Sequence, residues 1–511
     1  MFAKLLSASV LGVDAYPVQV EVDLSNGLPA YEVVGLPDTA VKEAKERVRA
    51  ALKNSEGAFP GRRITVNLAP ADLRKEGSGF DLPIALGLLI ADEQLPPDAA
   101  QDSIFIGELS LDGRVRPVPG ILPVALMARE RGIRRLFVPE ENVNEAVLVD
   151  GIEVYPVSDL LTLCCFLREE GVIIDPAAQQ QIAATGMREA DLDFSDIRGQ
   201  SVAKRALEIA AAGGHNLLMV GPPGSGKTLL ARQLPTILPG MTTEEALEVT
   251  KIYSVSGLLQ GRSGLISQRP FCAPHHSISY AGLIGGGRIP KPGQVSLAHN
   301  GVLFLDELPE FPKRVLEQLR QPLEDGKVYI SRAQASLTYP SRFMLVAAMN
   351  PCPCGFFGDP LRECTCSDTE IRRYLGRISG PLLDRIDLQI SVPRVEYKEM
   401  VGPRDGETSA EIRQRVESAR QIQQERFRGQ RIHSNAAMNT RLLRKTVNLH
   451  PEANQLLQSA FSRLQLSARA YERILKVART IADLAASAQV RSEHVAEALS
   501  YRAYDRQGLL G

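Results

Sequence analysis

No apolar run in this 511-residue sequence approaches the ~18–20 residues that a membrane span requires. Leu5–Val13 comes nearest to a signal core, but two serines interrupt it and Asp14 follows at once, so it reads as a first β-strand. Neither sign of charge prevails: 59 Lys/Arg stand against 60 Asp/Glu, for a net charge of −1. That excludes a generic polyanion binder with an overall basic charge, though not a local patch. Cysteines are few, and four of the seven crowd into Cys352–Cys366, which excludes a secreted disulfide framework. Internal repeats and low-complexity tracts are absent as well. These absences place the protein in the cytoplasm, with no membrane partner.

What is there is ordinary globular material, 44% hydrophobic and 23% charged, with chain enough for about three or four domains. The charge is uneven. Val401–Gly511 carries 18 Lys/Arg against 11 Asp/Glu, a pattern that fits either a polyanion contact or a solvated helical surface. The organisation reads as α/β. Residues 1–175 hold alternating strands at Val18–Leu24 and Arg63–Leu68, strands at Ile104–Leu109, Arg135–Pro139 and Ile152–Val157, and helices at Asp38–Asn54 and Leu82–Ala91. Residues 176–193 read as a linker, 194–395 as a second α/β domain with a parallel sheet, and 396–511 as a helical C-terminal domain, with helices at Ala453–Leu464, Ala468–Ala488 and Ser492–Ala503.

The most specific signal is Gly221-Pro222-Pro223-Gly224-Ser225-Gly226-Lys227-Thr228, which fits G-x-x-x-x-G-K-[ST] at every fixed position. An apolar strand, Asn216–Val220, precedes it, and a helix begins after it. Its glycines let backbone N–H groups turn around the phosphates of ATP, Lys227 adds a charge at the β/γ phosphates, and Thr228 offers a hydroxyl to Mg2+. The partner is Val302–Glu307, four apolar residues ending in two carboxylates. Asp306 is the second candidate for Mg2+, and Glu307 is placed to polarise the attacking water. Asn350 closes the apolar strand Phe343–Met349, where a polar side chain can reach the γ-phosphate. Arg385 lies between an apolar turn and a strand; it reads either as an arginine finger given to a neighbour's nucleotide or as a salt bridge to Asp384 or Asp387.

Two further clusters stand out. Cys352, Cys354, Cys364 and Cys366 lie within 15 residues and read either as a tetrahedral Zn2+ site or as four free thiols. Arg288 and Lys291 sit on a Gly/Pro-rich loop, and Lys327 and Arg332 on a strand and turn before Asn350. They read as basic surface loops or as contacts to the phosphates of DNA. His275 and His276 are nearer the nucleotide motifs and read as structural or coupling residues.

These motifs resemble the AAA+ ATPases, and within them the magnesium-chelatase-like group of ComM-type competence proteins. The stretches Pro270–Ser277, Leu283–Gly287, Leu297–Phe311, Asn350–Gly355, Tyr374–Asp387 and Ala478–Leu484 carry the resemblance, which covers essentially the whole chain. Cys272 departs from it, since that group usually shows arginine there. The resemblance implies a Lon-protease-like N-terminal domain, an AAA+ P-loop core and a C-terminal helical lid. It implies a homo-hexamer with ATP between subunits, Asn350 as sensor 1, Arg385 as the trans finger, and Arg469, or more weakly Arg473, as sensor 2. The basic loops become hairpins pointing into the ring's pore, and the activity becomes that of a DNA helicase driving branch migration in natural transformation. A chelatase-type ATPase remodelling a protein partner or a metal-insertion complex is the alternative. A peptidase is a third reading, but Leu73–Asp81, the loop where a Lon-type serine would lie, puts Gly79–Asp81 at the nucleophile position and Ser78 too early.

Overall fold

In the strand Asp14–Ser25, Val18, Val20, Val22 and Leu24 turn inward while Gln19 and Asp23 face out, the period of two that a pleated strand imposes. The computed structural model describes residues 1–178, 192–259, 264–287, 290–331, 336–395, 406–430, 432–464 and 466–502. Residues 179–191 of the expected linker, 396–405 and 503–511 of the expected C-terminal domain, and both Arg288 and Arg332 lie outside the described residues. The chain divides into two compact units.

The first unit takes Met1–Gly186 together with Thr243–Ser267 and Ser331–Thr338. Its mixed sheet runs in the order Ala30–Val34, Arg63–Ala69, Asp14–Ser25, Phe2–Leu11, Ser103–Phe105, Arg135–Pro139, Glu153–Val157. The helix Thr39–Asn54 starts where the Asp38 carboxylate accepts the Val41 N–H at 2.8 Å, and it buries the stripe Val41, Ala44, Val48, Ala51, Leu52. Asp81–Ala91 is buried along its whole length and packs on the strands Phe2–Leu11 and Asp14–Ser25. Ile104–Leu109 is not one strand. It splits into Ser103–Phe105 and Glu108–Leu109, because Gly107 turns its backbone to Gly79 and Leu82 at the head of that helix. The helix Thr243–Val255 joins this unit through Ser254. Its hydroxyl donates to Glu145 at 2.6 Å, and its carbonyl accepts the Gly120 N–H at 3.0 Å.

The second unit takes Met187–Thr242, Gln268–Ile330 and Tyr339–Gly511. Its sheet is parallel throughout, in the order Phe271–Cys272, Val302–Leu305, Met344–Met349, Leu217–Val220, Leu388–Ser391. The inner strands are apolar on both faces, as strands covered by helices on either side must be. The helices Ser201–Gly213, Ser409–Arg426, Pro451–Leu464, Ala468–Leu484 and Ser492–Ser500 share one core with this sheet.

Part of the C-terminal excess of arginine turns to carboxylates of the same unit. Arg415 pairs with Glu208 and Glu407, Arg426 and Arg479 with Asp483, and Arg473 with Asp387. Asp387 opens the strand Leu388–Ser391 and is the joint between lid and sheet. It also accepts from the Asn216 N–H at 3.2 Å and meets His215 Nδ1 at 3.3 Å, while His215 Nε2 meets Thr480 Oγ1 of the lid helix at 2.7 Å. Burial alone would push the Asp387 carboxyl up, but Arg473 and His215 outweigh it and hold the group well below the usual carboxylate range. A depressed native value stabilises the fold above the unfolded value of ~3.9, and that stabilisation is lost as pH falls through the native one. Arg473→Ala, which leaves the carboxylate buried without its cation, is therefore expected to cost about 3 kcal/mol, read as a lower urea midpoint at pH 7. The difference from wild type should shrink once acid protonates Asp387.

Candidate nucleotide site

The parallel register brings three chain segments to one edge of the sheet. Val220 lies beside Met349, and Leu305 beside Ala347, so Gly221, Asn350 and Asp306 all leave the carboxyl ends of neighbouring strands. This is where open α/β sheets bind ligands. In the loop after Val220, Gly224 and Gly226 have φ of 77° and 88°, a region L-residues with side chains rarely adopt. The helix Lys227–Gln233 follows.

Lys227 is buried, and its ammonium donates to the Gly221 and Pro222 carbonyls at 2.7 and 2.9 Å and to Asn350 Oδ1 at 3.3 Å. Burial lowers its pKa, against the pull of Asp306 and Glu307. Thr228 Oγ1 donates to Asp306 Oδ2 at 2.6 Å, so the two oxygens paired for Mg2+ are adjacent. Glu307 has φ 52° and an exposed side chain, and its Oε2 lies 3.5 Å from His276 Nδ1. The His276 ring packs on His275, with centroids 4.0 Å apart. A cleft of about 430 Å3 adjoins the loop, lined among others by Ile197, Gln200, Pro223, Gly224, Leu230 and Arg394, within the size range of small-molecule sites. Gln200, Ile197 and Arg394 lie outside any sequence motif; the site gathers them only because the chain returns at Pro393, whose carbonyl accepts from Gln200 Nε2 at 2.6 Å.

The arginines sit elsewhere. Arg385 pairs neither with Asp384 nor with Asp387; it is largely buried, donates to the Pro381 carbonyl at 2.7 Å, and forms an ion pair with Glu324, 61 residues upstream. Arg469 is exposed and near enough to Glu324 to help lower its pKa, after the larger effect of Arg385. Arg473 is at Asp387, at the end of the sheet opposite the nucleotide loop.

The four cysteines come together. The sulfurs of Cys352, Cys354, Cys364 and Cys366 all lie within 4.8 Å of one another, with Cys352–Cys354, Cys354–Cys364 and Cys352–Cys364 at 3.4, 3.5 and 3.6 Å. No disulfide joins them. Backbone N–H groups of Cys354 and Phe357 point at Cys366 and Cys352 sulfurs, each at 3.3 Å. Zn–S bonds of ~2.3 Å set tetrahedral sulfurs about 3.8 Å apart, so the donor set fits that ion.

Lys291 and Lys327 are both exposed, on small two-stranded sheets, Gly285–Gly286 with Lys291–Pro292 and Lys327–Ser331 with Ser336–Pro340. The Tyr339 hydroxyl donates to the Pro290 carbonyl at 2.9 Å and ties the two together. On the strand Lys327–Ser331, Val328 and Ile330 turn in, which leaves Tyr329 exposed on the Lys327 face. Sequence reasoning passed over this aromatic, although the alternation around it was visible.

In the first unit, the Ser78 hydroxyl donates to Glu108, and Lys75 is buried with its ammonium on the Leu73 and Pro70 carbonyls. Asp81 takes Arg47 in a two-point pair, at 2.6 and 2.9 Å. Ser78 thus faces a carboxylate, whereas a Ser–Lys dyad needs an amine there.

The geometry makes a direct prediction. Lys227→Ala is expected to weaken binding of a fluorescent ATP analogue at least about tenfold, whereas Asn350→Ala, at the γ-phosphate end, should lower kcat more than it weakens binding.

Known proteins show the same layout. The profile for magnesium chelatase subunit ChlI matches residues 193–400, that for subunit ChlI of Mg-chelatase matches 20–142, and that for the ChlI C-terminal region matches 406–502. The competence protein ComM of Haemophilus influenzae is 48% identical over 508 residues, covering 99% of this chain and 98% of its own. YifB of Escherichia coli K12 is 46% identical, covering 98% and 96%. Lon protease 2 of Bacillus subtilis is 33% identical over 157 residues, 28% of this chain and 27% of its own. With such identity along nearly its entire length, this chain belongs to the magnesium-chelatase-like AAA+ ATPases, the family of ComM and YifB.

Proposed function

We propose that this protein is an ATP-hydrolysing AAA+ motor that works on DNA as a homo-hexamer, a helicase or translocase promoting branch migration of recombination intermediates during natural transformation. The observation that carries the catalytic half is the contact of Thr228 with Asp306 at 2.6 Å, beside a lysine already among phosphate-loop carbonyls. Thr228 and Asp306 would hold Mg2+, which would supply neutralising charge for the phosphates. Lys227 binds those phosphates, Asn350 reports on the γ-phosphate, and Glu307 orients the attacking water and accepts its proton. Arg385 and Arg469 gather at Glu324 and neither lines the cleft of its own chain. That placement favours action on a neighbour's nucleotide and supports a ring.

The DNA half of the proposal is supported by the two joined hairpins. Lys291 and Lys327 supply charge for phosphates, and Tyr329 supplies a face on which a base can stack. Arg288 and Arg332, outside the described residues, belong to the same two loops in sequence. The name of the Haemophilus influenzae relative, a competence protein, favours this reading over the chelatase-type alternative. The four cysteines would hold a structural Zn2+, in the loop that begins at Asn350.

Two measurements test this. ATPase rate is compared with no DNA, single-stranded DNA and a branched DNA, with Lys227→Ala as control. Stimulation of several-fold that needs Lys227 is expected. Lys227-dependent hydrolysis indifferent to DNA would instead favour the chelatase-type motor. Metal analysis of the purified protein should give about one Zn2+ per chain, lost in Cys354→Ser with Cys366→Ser; an unchanged zinc content in that variant would reject the site.

A further inference from the structure

The segment from Asn350 to Cys366 meets the phosphate loop at two points and the cleft residue Arg394 at a third. At its start, Asn350 Oδ1 lies 3.3 Å from Lys227 Nζ. In its middle, Gly355 has φ 87°, and a Cβ there would fall 2.6 Å from Cδ of Pro223 in the phosphate loop. Only a glycine lets this backbone come so close to the Pro223 ring. Further on, Asp359 has a side chain only 2% exposed, with Oδ2 3.2 Å from Nε of Arg394. The Arg394 guanidinium also lies over the Phe356 ring, 5.4 Å from its centroid, with Arg362 over the same ring at 4.1 Å. Arg394 itself lines the cleft with Pro223, Gly224 and Leu230.

We propose that the four-cysteine loop buttresses the nucleotide cleft from behind its lining, and that it sets affinity for adenine nucleotide by holding Arg394 in place through Asp359 and Phe356. The proposal rests on the reading of the cleft as the ATP site. Gly221–Thr228 take the phosphates, which leaves the nucleoside end for Arg394, a flat cation suited to lie against an aromatic base. Asp359 is a positioning residue: it touches Arg394 rather than the nucleotide. The sulfur cluster joins Cys352 and Cys354, before these contacts, to Cys364 and Cys366, after them. Closing it with a metal fixes the loop between, and opening it frees Phe356 and Asp359, and with them Arg394.

The test separates KM from kcat. Arg394→Ala is expected to raise the KM for ATP about tenfold and to lower kcat much less. Arg394→Lys keeps charge but loses the plane, and Asp359→Asn keeps shape but loses charge, so both should fall between. Thermal melts matching wild type show that these variants fold. Stripping metal from wild type with a zinc-selective chelator, Mg2+ held constant, should raise KM toward the Arg394→Ala value and add little to that variant. An unchanged KM in Arg394→Ala would overturn the contact. Chelation that raises KM by the same factor in wild type and Arg394→Ala would overturn the route through Arg394. Lys227→Ala, measured alongside, tells whether the cleft is the ATP site at all: loss of binding there with silence at Arg394 rejects this proposal and leaves the ATP site standing.

Discussion

The whole site depends on two loops leaving the same edge of one parallel sheet, and the contact between Thr228 and Asp306 is its physical record. A hydroxyl and a carboxylate 78 residues apart meet because Met344–Met349 lies between their strands and aligns both in parallel register. The same central strand ends at Asn350, so the third polar group arrives at the same edge. Parallel strands need long crossovers, and those crossovers carry the rest of the machinery: His276 and the hairpin with Lys291 before the strand Val302–Leu305, the hairpin with Lys327 and Tyr329 before Met344–Met349, and the cysteine loop after it. Sheet topology thereby puts every auxiliary element one connection away from the phosphates.

A second constraint fixes the arginines. Asp387 is clamped by Arg473, His215 and the Asn216 N–H at the beginning of its strand. That anchors the lid to the sheet at the end opposite the nucleotide. Arg385, two residues earlier, runs the other way to Glu324, on the helix Arg320–Asp325 that leads directly into the hairpin at Lys327. In the proposed function, a residue that acts on a neighbour is thus held by a group next to an element that meets DNA. This gives a short physical path between the two, with one ion pair as its middle link.

Much of this was legible in the sequence, for definite reasons. The phosphate loop is read from glycines that need positive φ and from one lysine, and the apolar strands beside it are read from runs with no polar interruption. A helix capped by Asp38 or Thr39, the alternation of Val18–Leu24 and the lid helices follow from local rules. What stayed hidden was non-local. Ile121–Ala128 is buried on all sides and so has no helical period to read. The Arg385–Glu324 pair, against the nearer Asp384 and Asp387, depends on two elements 61 residues apart. The basic balance after Val401 suggested a contact surface, yet Arg415, Arg426 and Arg473 pair with carboxylates far along the chain, and Arg479 with one on its own helix. Arg394 and Asp359 look like ordinary loop charges until the fold pairs them at the edge of the cleft. The spacing of those cysteines left zinc and free thiols both open; their convergence is a property of the fold.

The most direct test of the central claim, one composite site per pair of subunits, is complementation in a mixed ring. Lys227→Ala lacks a working cleft but keeps Arg385. Arg385→Ala keeps the cleft but lacks the arginine. Each alone should hydrolyse ATP poorly. Mixed in equal amounts, they should regain ATPase well above the mean of the two, because some interfaces then join an intact cleft to an intact Arg385. A mixture that gives only the mean would contradict a trans role for Arg385 and confine hydrolysis to single chains.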